Sequence, residues 1–186
     1  MNILQPIWEK TFISHVYSAI PGRGLHAAVI ELKRWLKDAP STTYCLKFDV
    51  KNFYPSVDHN ILLSLIQRKI KCEDTLWLLE EIVRSPGGNK NIPIGNYLSQ
   101  YFANIYLNPL DRYIKEDLSC RHYLRYGDDG VILSNDKDYL RECFSGIANY
   151  LKEDLLLTIH PKSGIFQSIV MGLISWDIGS LETILY

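Results

Sequence analysis

The stretch RYGDDGVIL, residues 125–133, sets Asp128 and Asp129 side by side after a Tyr-Gly pair, with apolar residues on both flanks. A third aspartate, Asp49, closes the β-forming run YCLKFD at residues 44–49. If that strand and the hairpin carrying the aspartate pair are neighbours in one sheet, three carboxylates converge. Like charges held close repel and raise each other's pKa values unless something neutralises them. Oxygen ligands with no His or Cys nearby suit Mg²⁺ or Mn²⁺, not zinc. Two such ions can activate a 3′-hydroxyl and stabilise a departing pyrophosphate. A plainer reading stays open on these residues alone: Asp129-Gly130 is a tight-turn dipeptide, and a strand-end aspartate is common.

The elements that must position these residues can be read along the chain. Residues 3–14 and 25–37 read as helices, the second with Ala28, Val29, Leu32, Trp35 and Leu36 on a helical period. Between them SAIPGRG is a turn built on Pro21, Gly22 and Gly24. Residues 42–50 are rich in β-formers and predict a strand. Asp58 can cap a helix over 59–69, and Asp74 another over 75–83. SPGGNKN is a loop, and residues 96–118 read as a long helix that Pro109 kinks or divides. Residues 122–133 form the hairpin, and Asp136 starts a helix with Tyr139, Leu140, Cys143, Phe144, Ile147 and Leu151 inward. Short strands are expected at 155–159, 165–170 and 181–185. This mixed order predicts an α+β fold with the helices on one face of a sheet.

Composition bounds the rest. A chain of 186 residues buries one core and is expected to be one domain. An apolar fraction of 47% with balanced charges indicates a globular chain, not a disordered one. No apolar run reaches the about 18 residues that span a bilayer, and MNILQPIWEK is not a signal peptide. Cys45, Cys72, Cys120 and Cys143 form no C-x-x-C pair and read as thiols of a reducing, cytoplasmic setting. The net charge of −1 neither supports nor excludes a nucleic-acid partner.

With these residues in view, the sequence resembles reverse transcriptases over nearly its whole length. FDVKNFYPSVDH (48–59) is similar to the family's motif A, IPIGNYLSQYFANIYLNPLD (92–111) to motif B, YLRYGDDGVIL (123–133) to the Y-x-D-D motif C, and LLLTIHPKSG (155–164) to motif D. PIWEKTFISHVYSAIPGRGLHAAV (6–29) resembles the block preceding motif A in bacterial enzymes related to group II intron reverse transcriptases. Five matches in the family's order and spacing carry far more weight than one tetrapeptide.

The resemblance implies a right-hand polymerase palm, an antiparallel sheet packed on helices, with a remnant of the fingers and no thumb. Residues 1–41 would be fingers-side helices and 42–186 mainly palm, with a fingers-type helical insertion at about 59–92. Asp49 and Asp128 would bind two Mg²⁺ ions, or Mn²⁺ in their place, with Asp129 beside them and the Val50 carbonyl assisting. Tyr54 falls at the sugar-selecting position, where a ring crowds a ribose 2′-hydroxyl and favours deoxynucleotides; alone it would pass for a core aromatic. Phe53, Ile94, Gly95, Asn96, Ser99, Gln100 and Tyr126 complete the implied substrate-binding set. Glycine at position 95 would let the backbone approach the nascent base pair. Lys162 matches the motif D lysine that donates a proton to pyrophosphate, with a solvated loop lysine as the alternative. The implied partners are an RNA template, a DNA primer and deoxynucleoside triphosphates, and no membrane.

Two features refine this. The I-G-N-x-x-S-Q pattern from Ile94 to Gln100 resembles reverse transcriptases of diversity-generating retroelements, which mutate mostly at adenines and act with a small basic accessory protein. Retron and group II intron enzymes are the runners-up. The fingertip block and the thumb are missing from the match, and MGLISWDIG stands where the family has Phe-Leu-Gly. A truncated chain lacking those basic segments is expected to extend primers poorly. A non-catalytic nucleic-acid-binding or interaction module is therefore the competing reading.

Overall fold

The computed structural model describes residues 4–93 and 97–168. Ile94, Gly95, Asn96, MGLISWDIG and the strand expected at 181–185 lie outside those residues. Four strands make one antiparallel sheet: β1 (Tyr44–Phe48), β2 (His122–Tyr126), β3 (Asp129–Ser134) and β4 (Gly164–Gln167), in the spatial order β2-β3-β1-β4. Side chains alternate across a strand. Leu46, Phe48, Tyr123 and Ile132 therefore face the main core, while Cys45, Leu124, Val131 and Leu133 face the opposite side.

Helices cover both sides, which corrects the one-face expectation. The main core is filled by α4 (His59–Gln67), α5 (Glu73–Arg84), α6 (Tyr97–Arg112) and α7 (Lys137–Glu153). The other side is met by α2 (Leu25–Leu36) through Ala28, Leu32 and Trp35. Asp58 and Asp136 cap α4 and α7 as expected, each accepting two backbone N–H bonds. Helix α5 instead starts after Cys72, so Asp74 sits in its first turn, where its charge suits the helix dipole.

The expected helix at 3–14 shrinks to α1 (Gln5–Glu9). Residues 15–17 are drawn away to β2: Arg125 donates its backbone N–H to the His15 carbonyl, and Tyr17 donates to the Arg125 carbonyl. Tertiary pairing overrides local helical preference here. Helix α6 runs past Pro109, and the change comes at Tyr113–Asp117, one π-helical turn, not at the proline. The strand expected at 155–159 is a single bridge, Val50 to Ile159, and Leu156 sits at φ +52°. A short α3 (Phe53–Ser56) was not foreseen; Asn52, left-handed at φ +48°, turns the chain into it. Cys45, Cys120 and Cys143 are buried and Cys72 exposed, all as free thiols.

The hairpin turn is Gly127-Asp128, with Tyr126 paired to Asp129, and not Asp129-Gly130. Gly127 takes φ +63° at the first turn position, as a type II′ turn requires. Gly130 lies within β3, opposite Phe48. A Cβ built there would come 2.1 Å from the Phe48 ring, so no larger residue fits beneath it. Gly130→Ala is expected to destabilise the chain by about 1–3 kcal/mol, as overpacking does. Thermal melts test this, and adding Phe48→Leu should recover part of the loss because the two side chains compete for one space. Purely additive losses would place the strain elsewhere.

Candidate active site

Three carboxylates meet at the end of the sheet. Phe48 pairs with Gly130, so the next residue of the β1 strand line, Asp49, falls beside Asp129. Asp128 stands at the turn between β2 and β3. One carboxylate oxygen from each of Asp49, Asp128 and Asp129 lies within 4.8 Å of the others, and all three residues are half-buried. The sheet's alternation puts Asp49 and Asp129 on the side met by α2, away from the main core.

Asp49 is clamped by its backbone. Its carbonyl accepts from the His160 N–H at 2.7 Å, and its N–H donates to Ser163 Oγ at 3.0 Å. Lys51 N–H donates to the Thr158 carbonyl, completing a bridge that leaves the Val50 carbonyl undrawn upon. The Val50 side chain is buried in the main core. Asp128 is held from behind by Arg125, whose Nη1 donates to the Gly127 carbonyl at 2.6 Å.

The cluster is electrostatically strained. Burial, then Asp49, push the Asp128 carboxyl up to about 6, against its own backbone N–H and Arg125, which lower it. Burial, then Asp49 and Asp128, push Asp129 up to about 7, with Lys47 opposing. Oδ1 of Asp129 is buried without a hydrogen-bond partner. A buried acceptor left over in an all-carboxylate donor set fits a hard divalent cation. Asp49, Asp128 and Asp129 are the residues that would hold it.

Raised carboxyl values fix the sign of a pH effect. The folded chain keeps protons here that the unfolded chain releases at the ordinary carboxylate range. The stability this contributes is complete below that range and lost as pH rises through the folded values of about 6 and about 7. A divalent ion must displace the same protons. Without metal the contribution should fall from about pH 4 to about pH 7, while stabilisation by added Mg²⁺ grows as the folded carboxyls ionise over that interval. Melts in chelator and in Mg²⁺ across that range measure both. A Mg²⁺ increment independent of pH would remove the ion from these carboxyls.

The remaining expected site residues separate into groups. Tyr54 is half-buried, and its hydroxyl is pushed up by burial and then by Asp128, so it lies within electrostatic reach of the acidic cluster. Phe53 is 2% exposed and packs edge-on against Tyr54 and Tyr106; it supports the Tyr54 ring from the core. Tyr126 packs on the α2 side next to Asp129. Lys162 is exposed on the loop before β4, near enough to lower the pKa of Lys47. In the first turn of α6, Gln100 is exposed, whereas Ser99 is buried with its hydroxyl unpartnered.

Sequence reasoning missed Arg125, Asp111, Asn104, His160, Ser163 and Lys47. A signal existed for the first three. Asn104 and Asp111 are seven residues apart on α6, hence on one face, and Arg125 alternates with Tyr123 toward that helix.

The family described as reverse transcriptase (RNA-dependent DNA polymerase) matches residues 1–170. Protein YkfC of Escherichia coli K12 is 26% identical over 123 residues, covering 61% of this chain and 32% of that protein. The group II intron-encoded protein LtrA of Lactococcus lactis is 30% identical over 121 residues, 60% of this chain and 20% of LtrA. The chain thus spans a third or less of the curated relatives it matches. Among solved structures, an apo telomerase of Candida tropicalis truncated from its C-terminal domain aligns with TM-score 0.70 at 15% identity, covering 89% of this chain and 39% of that one. A Candida albicans telomerase in complex with a fragment of telomeric RNA aligns at 0.69 and 10%, covering 89% and 34%. At such identities these structures show a shared fold.

Proposed function

The chain belongs to the reverse transcriptase family, and from that premise we propose that it forms the catalytic palm of an RNA-directed DNA polymerase. The observation that carries the reading is the convergence of Asp49, Asp128 and Asp129 within 4.8 Å, with an unpartnered buried oxygen among them. Asp49, Asp128 and Asp129 would hold the divalent cations, two Mg²⁺ by family precedent with Mn²⁺ as substitute, which would supply positive charge to the 3′-hydroxyl and to the departing pyrophosphate. The protein's part is positioning. Asp49 is fixed by His160 and Ser163, Asp128 by its turn, and Asp129 by pairing with Tyr126. Tyr54, within electrostatic reach of Asp128, is proposed to crowd a 2′-hydroxyl and favour deoxynucleotides. Lys162 is the proposed proton donor to pyrophosphate, and Gln100 and Tyr126 are proposed to flank the substrate with Ile94, Gly95 and Asn96.

The proposed partners are an RNA template, a DNA primer and deoxynucleoside triphosphates. The likeness to a group II intron-encoded protein favours a group II intron-type lineage, whereas the I-G-N-x-x-S-Q pattern favours a diversity-generating retroelement with a small basic accessory protein. Residues 1–41 are proposed as fingers-side and 42–186 as mainly palm, with 59–92 as a fingers-type insertion. No helix among the described residues is long and apolar enough to cross a membrane, and we place the protein in the cytoplasm.

The test is single-nucleotide incorporation on poly(rA)/oligo(dT) with the chain in large excess, so that weak template affinity does not hide chemistry. Mg²⁺-dependent addition of dT, with a strong preference over the ribonucleotide, supports the reading. Ion and template binding without incorporation would support the non-catalytic module instead. Sequencing longer products for errors opposite adenine separates the two lineages.

A further inference from the structure

Behind the acidic turn lies a buried polar network that the polymerase chemistry does not explain. Arg125 is fully buried, as is Asp111. The guanidinium grips Asp111 with two parallel bonds, Nε to Oδ1 at 2.8 Å and Nη2 to Oδ2 at 2.6 Å. Its third nitrogen, Nη1, donates to Asn104 Oδ1 at 3.1 Å and to the Gly127 carbonyl at 2.6 Å. The acceptors are themselves held. Tyr123 donates its hydroxyl to Asp111 at 2.7 Å, and Asn104 donates to the Ser18 carbonyl at 2.8 Å. The Arg125 backbone is tied on both sides to His15 and Tyr17.

A planar fork held at two corners has almost no freedom at the third. That third corner grips the carbonyl of the peptide linking Gly127 to Asp128. The same guanidinium therefore locks helix α6 to the turn that aims a ligand. Resting on the reading that the acidic cluster takes divalent ions, we propose that Arg125 is a positioning residue that fixes the Gly127–Asp128 peptide and so presents the Asp128 carboxylate to the metal.

A merely structural Arg125 would stabilise the fold without setting metal affinity. The experiment compares three full-length variants below their melting temperatures. Arg125→Lys keeps the charge but cannot hold Asp111 with two bonds and reach Gly127 together. Tyr123→Phe removes a bond to Asp111 and leaves the Gly127 contact in place. The double variant Arg125→Met with Asp111→Leu removes the hold on Gly127 without leaving a buried charge behind. Two readouts are taken: Mn²⁺ binding by titration, and hydrogen exchange at the amides of Asp128 and Asp129 in metal-free protein.

Arg125→Lys should bind Mn²⁺ about 10-fold to 100-fold more weakly, the usual cost of losing a partner that orients a metal ligand. The turn amides should exchange faster in Arg125→Lys. Tyr123→Phe should leave both readouts near wild type while lowering the melting temperature. Should Arg125→Lys fail to fold, the double variant decides, with a shift of the same kind. Wild-type Mn²⁺ affinity and wild-type turn exchange in whichever folded variant decides would overturn the positioning role. If the wild-type chain binds no Mn²⁺, the polymerase reading fails. The exchange readout then judges the turn by itself, supporting the fixed peptide if it responds to Arg125→Lys or to the double variant and overturning it if not.

Discussion

Asp128→Asn should slow the chemical step of nucleotide incorporation by about 10³-fold or more, the equivalent of about 4 kcal/mol of transition-state stabilisation. An amide keeps the size of the carboxylate but loses the charge that holds a divalent ion. Template binding should persist, because phosphate contacts by Lys and Arg carry it. The metal-free variant should also melt higher than wild type at neutral pH. Burial and Asp49 raise the Asp128 carboxyl to about 6, so removing this charge relieves repulsion. Single-turnover extension and a melt in chelator measure the two effects. A near-normal rate would take Asp128 out of the reaction; a lower melting temperature would mean that its carboxylate stabilises the turn.

Asp111→Ala should produce the largest loss of stability from any single change in the buried network. It strands the Arg125 guanidinium, 0% exposed, without a counter-charge. Breaking one side of a buried ion pair costs about 3–5 kcal/mol, which lowers the melting temperature of a domain this size by about 10 °C. Replacing both partners together, Asp111→Leu with Arg125→Met, should cost less than Asp111→Ala alone, since no buried charge is left over. The double variant should nevertheless bind divalent ions weakly, because nothing then holds the Gly127 carbonyl. Stability and ion affinity would thus part company. A melt of Asp111→Ala within about 1 kcal/mol of wild type would mean that water reaches the guanidinium.

What the sequence makes legible follows physical locality. Asp58 and Asp136 announce α4 and α7 because a cap acts within three residues. The hairpin is legible from alternation, and the acidic triad from two short segments. Helix α1 is overestimated because residues 15–17 answer to β2, more than a hundred positions away. Ile159 looks like part of a strand, yet it pairs only where Val50 passes. The hairpin tip at Asp128 and Asp129 is legible, and only the plainer reading puts the turn two positions late, because Asp-Gly is a good turn pair in isolation while Gly130 is needed for a different reason, space for the Phe48 ring. The clamp on Asp49 by Ser163 spans 114 residues, and no local pattern marks a hydroxyl for that task.

The strand order β2-β3-β1-β4 has a consequence for how the chain comes off the ribosome. β1 sits between two strands that are made much later, β3 roughly eighty residues downstream and β4 roughly 120. At about 5–20 residues per second, β1 waits several seconds with both hydrogen-bonding edges bare. Helices α4 and α5 can form in that interval from local contacts, but the sheet cannot. The aspartate that follows β1 therefore acquires its neighbours only when the hairpin and then the loop around Ser163 have emerged. A nascent chain halted before residue 160 would carry Asp49 and the hairpin without the clamp, so the cluster is completed only after the loop around Ser163 has been made.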